Sequence, residues 1–350
     1  MSPLRDAFAQ QAAWCEQLGS PLTARLCRAL DAALGGPAAK GRLARHLRDW
    51  PGDPGPAGAS LPLRLCAALH GLVLDGRAPA LARACAGEGD LDREVFVAVQ
   101  GHEDRILEWI AVAPQTNEVA RSAVLIAAGG FLAEQAPGVR FDLLELGASA
   151  GLNLNFPIYI LDTEHQNADL TGAALTLSPE WRGEGPPRAR LPVGAREGVD
   201  LNPLDPRADG PRLLAHVWAD QQPRLARMRR ALEIARRDPA RVDRGCAGDW
   251  LAARLAAPAV QGRLVFHTIA AQYFPAAVRA RVEAALREGG ARAGATRPLA
   301  HLSMELEDGA AAALRLRLWQ GGPSRAWDLG RADPHARWIE WRPQPCAGGW

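Results

Sequence analysis

The 350-residue sequence contains one lysine, Lys40, among its 41 basic residues. In a chain rich in Ala, Gly and Pro, that scarcity reads as a bias toward Arg, not as a binding feature. Its six cysteines (15, 27, 66, 85, 246 and 346) include no C-x-x-C or C-x-x-H pair. That spacing argues against a zinc site and against a disulfide framework. No run of about eighteen apolar residues occurs, so no membrane-spanning helix is expected. Ser2 to Gln11 is largely polar and carries both charge signs, which is unlike a secretory leader, so the cytoplasm is the expected location. A formal net charge of +2 supplies no electrostatic footprint for nucleic acid. No internal repeat is visible. The partner left by these exclusions is a small molecule.

Residues 1–110 read as a helical cap domain. Ala7 to Leu18, Leu22 to Leu34 and Leu61 to Leu74 carry apolar residues at three- and four-residue steps. The breaker-rich PGDPGPAGAS (51–60) interrupts them. From about residue 111 to the end, the chain reads as an α/β domain. A helix over Glu118 to Gln135 feeds the apolar run Val139 to Leu146. Further strand candidates are Gly198 to Leu201, Gly262 to Ile269, Pro298 to Leu306, Ala311 to Trp319 and Arg337 to Trp341. Helices are expected over Arg212 to Arg237 and Ala276 to Glu288. This alternation predicts a mostly parallel sheet covered by helices. The last two runs, joined by a turn-rich segment, read as an antiparallel pair closing one edge. Residues 161–195, rich in Pro, Gly and Thr, read as an insertion near the mouth of the site. An arginine-rich helix face (Arg224, Arg227, Arg229, Arg230) reads as solvated.

The stretch DLLELGASAGLNLN (142–155) admits two readings. Gly147 to Gly151 spells G-x-S-x-G, the elbow that presents a hydrolase serine, with Ser149 as nucleophile and Asp328 or Asp333 and His335 completing a triad. A hydrolase places several strands before that elbow, whereas here the preceding region is helical. No HGGG-type oxyanion segment precedes it either. The second reading is a cofactor turn, with Glu145 at the end of a buried central strand and Gly147, Ser149 and Gly151 letting the backbone approach a ligand. The strict G-x-G-x-x-G fingerprint and the P-loop Gly-Lys-Ser/Thr are both missing, which disfavours phosphate-bearing cofactors. S-adenosylmethionine, which has no phosphate, suits such a loop better.

Other residues join this second reading. Asp200, in GVDLNP, is suited to two ribose hydroxyls, and Asp162 competes with it at nearer to the usual spacing of about 20 residues. Asp249 and Trp250 in Gly-Asp-Trp are candidates for adenine contact. Gln115, Asn117, Glu118 and Arg121 form a polar cluster at a helix start. Thr116 or Asn117 serves equally as a plain N-cap. Arg121 is placed to pair with a cofactor carboxylate. His267 and Tyr273 follow a parallel-strand candidate, where a histidine serves as a general base or as a satisfied core residue.

Five segments carry a resemblance: Pro114 to Glu118 (PQTNE), Leu144 to Leu154 (LELGASAGLNL), Gly198 to Pro206 (GVDLNPLDP), Trp218-Ala-Asp-Gln221, and Val265-Phe-His267 with Tyr273. Together they resemble the bacterial DUF2332 family over residues 90 to 342. More distantly, the loop and the carboxylates after it resemble the class I S-adenosylmethionine-dependent methyltransferases. That wider resemblance implies a Rossmann-like sheet with an antiparallel edge pair. It also implies binding of S-adenosylmethionine by Arg121, Glu145, Gly147, Ser149, Gly151, Asn153, Asp200, Asp249 and Trp250. Gln115, Asn117 and Glu118 would then face a methyl acceptor, with His267 and Tyr273 at the chemistry. A non-catalytic nucleoside-binding relative is the alternative. No Asn-Pro-Pro-Tyr motif comes after the fourth strand, so the acceptor is not named.

Overall fold

The computed structural model describes residues 2–36, 39–56, 58–115, 117–163, 175–307 and 311–346. In chain order, seven helices come first: α1 (Pro3–Gln17), α2 (Pro21–Leu30), α3 (Arg42–Arg48), α4 (Leu61–Leu74), α5 (Pro79–Cys85), α6 (Leu91–Gly101) and α7 (Glu103–Ile110). Next are α8 (Ser122–Gln135), β1 (Phe141–Leu146), β2 (Ile160–Leu161), β3 (Thr176–Leu177), β4 (Glu180–Gly183) and β5 (Val193–Asp200). After α9 (Gly210–Ala215) and α10 (Gln222–Arg237) come β6 (Arg241–Arg244), α11 (Ala247–Ala256), β7 (Gly262–Thr268) and α12 (Ala276–Ala291). Four strands close the chain: β8 (Leu299–Glu307), β9 (Ala311–Trp319), β10 (Arg325–Ala332) and β11 (Trp338–Pro345). Among the described residues no helix is long and apolar enough to cross a membrane.

Two compact units result, one of residues 1–116 with 208–229, the other of 117–207 with 230–350. The first is helical. Ser2 caps α1 by accepting from Arg5 N, and Asp90 caps α6 by accepting from Arg93 N, each meeting one orphan donor of a first turn. Phe8, Leu30, Leu65, Leu69 and Ile106 fill its core.

Residues 208–229 belong with these helices, whereas the sequence pattern assigns them to the α/β domain. Asp220 explains why. Its carboxylate accepts from Ser20 Oγ and from Leu22 N (2.9 Å), supplying from a distance the cap that α2 lacks locally. Ala215 O accepts from His70 Nδ1 (3.1 Å) and Trp109 O from Arg212 Nη2 (3.1 Å). The single helix expected over 212–237 is broken, because Pro223 is tolerated only in a first turn and a new helix must start there.

The second unit is a mixed α/β structure on one nine-stranded sheet of order β4-β11-β10-β9-β8-β7-β1-β5-β6. β6, β5, β1, β7 and β8 run parallel. Central in the sheet, β1 buries five of its six residues, Glu145 among them, and its four apolar side chains suit a parallel strand covered on both faces. One face packs Leu144, Leu146, Val199 and Val265 against Leu251 of α11 and Leu286 of α12. The chain runs from β1 outward to β5 and β6, then returns to β7 and β8 on the other side. The order therefore reverses between β1 and β7, and the crevice at their carboxyl ends is where open α/β sheets take ligands.

The antiparallel part differs from the expected edge pair. β8, β9, β10 and β11 form a meander in which β9 and β11 both pair with β10 and not with each other. Gly330 disguises β10 in the sequence. It sits at a register shift with φ +116°, and a Cβ there would lie 2.0 Å from Glu340 O. The edge strand is β4, from the insertion, lying parallel to β11. This places part of the 161–195 segment along the sheet's far edge and not at a site mouth. Residues 164–174 of that segment lie outside the described residues.

Candidate functional site

The loop after β1 turns through three left-handed residues: Gly147 (φ +75°), Ser149 (φ +52°) and Gly151 (φ +68°). Gly147 lets the loop pass β7's end, since a Cβ there would stand 2.8 Å from Ala270 Cβ. Gly198, on β5, makes room for Ala148 in the same way. The chain then enters a 3-10 turn over Leu152–Ile158, with Pro157 inside it and no α-helix. The loop consequently lacks the helix N-terminus that a pyrophosphate needs.

Two separated segments hold this loop. Asn117 donates through Nδ2 to Ala148 O (3.3 Å) and accepts at Oδ1 from Leu152 N (3.0 Å), clamping both ends. Asp200, the last residue of β5, accepts from Ser149 N (2.9 Å) and from Asn202 N (2.8 Å). Leu204 N donates to Ser149 O (3.2 Å). Asn117 and residues of the LELGASAGLNL and GVDLNPLDP segments, distant in sequence, thus meet at one turn.

Glu145 lies just before the loop and is buried (2 % exposed). Burial pushes its carboxyl pKa well above the ordinary range, and the Asp200 charge adds to the rise. Arg121 and a hydrogen bond with Asn153 oppose it. Ser122 Oγ in turn donates to Asn153 Oδ1 (2.8 Å). Glu145 Oε2 is buried without a hydrogen-bond partner, and so is Ser149 Oγ. Two unsatisfied buried oxygens beside one glycine turn are unusual in a native interior, where such atoms are almost always paired.

The end of β7 forms the other side of the crevice. Ile269 is left-handed (φ +50°), a conformation that costs a β-branched residue about 1–3 kcal/mol. Glu305, on β8, compensates by gathering the bent segment. Its Oε1 accepts from His267 Nδ1 (2.6 Å), Ala270 N (3.0 Å) and Ala271 N (3.1 Å). Burial pushes the Glu305 pKa up, but His267 and the two backbone donors outweigh it and hold the group below its usual range. His267 Nε2 lies 3.0 Å from His301 Nε2. Burial, with His267 and Arg317 nearby, keeps His301 well below the usual imidazole pKa. His267 donates from Nδ1 to Glu305, and its Nε2 shares one proton with His301 Nε2, donated by either ring. Both ring nitrogens are engaged, which leaves no lone pair to take a substrate proton. His267 is therefore placed as a satisfied buried histidine.

Several other site candidates stand elsewhere or act otherwise. Tyr273 lies on a 3-10 turn after β7 and is exposed (76 %). Arg121 is buried and donates to Pro334 O (2.8 Å) and Thr268 O (3.0 Å), so it works as a strut across the sheet ends. Asp249, in the first turn of α11, pairs with Arg281 on α12 at the surface (2.6 Å). Gly248 packs against that same Arg281 side chain, and Trp250 Nε1 donates to Asp243 (2.8 Å). Gly-Asp-Trp accordingly joins α11 to its neighbours. Glu118 accepts from Ala120 N, a local cap, Gln115 belongs to the helical unit, and Thr116 lies outside the described residues. Asp162 bonds Ser178 Oγ (3.2 Å) beside the small β2–β3 sheet, leaving Asp200 as the carboxylate at the tip of a core strand. Sequence reasoning missed Ser122, Thr268, His301 and Glu305. The period-two spacing of His301, Ser303 and Glu305 within an otherwise apolar strand was the available signal.

The hydrolase arrangement finds little here. Ser149 Oγ has no partner, so no imidazole bonds it. Asp333 instead holds Arg337 (2.6 Å) and the His335 and Arg337 backbone N–H groups. We expect Ser149→Ala to leave unfolding stability within about 1 kcal/mol, as removing an unbonded hydroxyl should. Hydrolysis of a generic aryl ester by the wild type and not by the variant would restore the nucleophile.

A family model described as "Uncharacterized protein conserved in bacteria (DUF2332)" matches residues 5–341. The chain belongs to this family. The match starts within α1, so the helical unit is part of what defines the DUF2332 chain, whereas the motif resemblance begins only at residue 90. No curated protein and no solved structure matches it.

Proposed function

We propose that this DUF2332 protein binds S-adenosylmethionine in the turn after β1 and transfers its methyl group to a small molecule. The observation that carries the reading is the pair of buried, unpartnered oxygens, Glu145 Oε2 and Ser149 Oγ, at a glycine turn in the crevice between β1 and β7. The parallel order β6-β5-β1-β7-β8 agrees with a class I methyltransferase-like core. The absence of a helix after the loop favours a cofactor without phosphates. Glu145 would take the cofactor's ammonium group, Asp200 its ribose hydroxyls, and Gly147 and Gly151 the close backbone approach. When bound, S-adenosylmethionine supplies an electrophilic methyl group on a sulfonium. The chain's part is to orient the acceptor, exclude water and hold Glu145 through Asn153 and Ser122.

The engaged nitrogens of His267 favour a second reading, a nucleoside-ligand binder without turnover. A thermal-shift screen with S-adenosylhomocysteine, S-adenosylmethionine, NAD and ATP tests the site. S-adenosylhomocysteine at 100 times Kd should stabilise the protein by about 2.7 kcal/mol. A shift with NAD or ATP and none with S-adenosylhomocysteine would overturn the cofactor assignment. Binding without consumption of S-adenosylmethionine across an acceptor library would select the binder.

A further inference from the structure

The opposite end of the same sheet carries a cavity of about 320 Å³. It lies at the amino ends of β7 and β8, below the carboxyl ends of α11 and α12, and is lined in part by Leu255, Pro258 and Leu299. Three arginines also line it: Arg263, Arg292 and Arg297. Arg263 Nη2 donates to Ala257 O (2.9 Å) and Pro258 O (3.1 Å), and Arg292 Nη2 to Leu255 O (3.1 Å). Arg297 Nη1 donates to Ala259 O (3.3 Å).

These carbonyls lie at or just past the end of helix α11, so part of the positive charge meets a helix terminus. Each helix carboxyl end carries about half a negative charge. Two such ends offset about one of three guanidinium charges. None of the three arginines makes an ion pair among the described residues, and no carboxylate lines the cavity. Asp142 and Glu197 act on Arg263 from farther away. Glu197 is neutralised by Arg254 (3.2 Å), whereas Asp142 is bonded to a neutral amide, Ala195 N (2.7 Å), keeps its charge and offsets about one further positive charge. Burial lowers the Arg263 pKa; the Asp142 charge opposes that, and the Arg292 and Arg254 charges add smaller pushes downward.

We propose that this cavity binds a small phosphomonoester. Such an anion carries about −1.5 to −2 charges near pH 7, opposite in sign to the excess of about one positive charge left here. Guanidinium groups match phosphate oxygens in geometry, and the apolar wall would receive the organic remainder. A volume of about 320 Å³ exceeds what a bare phosphate fills and lies at the lower end of small-ligand sites.

The test is calorimetric titration of the full chain with phenyl phosphate and with inorganic phosphate, at ionic strength held constant by chloride. Saturable binding of phenyl phosphate tighter than inorganic phosphate is expected. In Arg292→Ala/Arg297→Ala, whose side chains are exposed and whose folding should survive, affinity should fall by about ten-fold or more for each guanidinium removed. The S-adenosylhomocysteine response should stay unchanged in that variant, which separates this site from the glycine turn. Equal heats for phosphate and chloride, or undiminished binding in the double variant, would overturn the proposal.

Discussion

Gly147→Val is expected to remove S-adenosylhomocysteine binding and to lower the stability of the free protein by about 2–6 kcal/mol. Two independent costs combine. Holding a side chain at φ +75° costs about 1–3 kcal/mol, with β-branched residues at the upper end. A Cβ 2.8 Å from Ala270 Cβ must also push β7's end aside, an overpacking of about 1–3 kcal/mol. Ala270 N is bonded to Glu305, so the displacement spreads to the segment that Glu305 gathers. Urea unfolding measures the stability loss, and thermal shift with ligand measures the binding loss. Gly147→Ala keeps the fold testable if Val prevents it. A valine variant as stable as wild type, binding S-adenosylhomocysteine equally well, would show that the turn does not serve as a close-approach site.

The second large effect concerns Glu145 and has opposite signs for stability and for binding. Burial raises its pKa in the folded state above the unfolded value. The folded protein therefore keeps a proton that the unfolded chain has lost. The associated stability is fully present below the unfolded pKa and is lost as pH rises through the folded one. Glu145→Gln cannot ionise and escapes that loss. Its melting temperature relative to wild type should rise as pH climbs above the ordinary carboxylate range in the absence of ligand. Binding moves the other way, because a cationic ammonium needs the ionised carboxylate. Removing that buried partner should weaken S-adenosylmethionine binding by about 2–5 kcal/mol. A pH-independent difference in melting temperature would contradict the protonated state of Glu145. Unchanged ligand affinity would remove it from the binding site.

The paired predictions rest on residues that differ in how visible they are in the sequence. Glu145, Gly147, Ser149 and Gly151 stand together, and an acidic residue ending an apolar run before glycines is local information. The strand at Phe141–Leu146 was legible for the same reason, since its apolar run tolerates no other placement. Asp200 was legible as a carboxylate ending a short apolar run, though not as the one bonded to Ser149 N. That choice over Asp162 depends on β5 pairing with β1, which brings Asp200 to Ser149 across 51 residues, a contact that no local pattern records.

Where polar residues had more than one possible partner, the sequence was silent. Asn117 reads as an N-cap until the loop after β1 is folded against it. Asp249 reads as a cofactor ligand until α12 brings Arg281 beside it. His267 reads equally as a base or as a core histidine until β8 delivers Glu305 and His301 to its two nitrogens. Asp220 reads as a residue that begins or interrupts a helix, and only the fold shows that it caps the open amino end of α2. β10 passes for a turn because Gly330, required at a bulge, carries the same letter as a loop glycine. Apolar periodicity determines strands and helices because burying a run of side chains depends on neighbours a few residues away. Hydrogen-bond partners are chosen only when the sheet order is set, because a donor and acceptor near 3 Å gain little until packing has removed the water that competes for them.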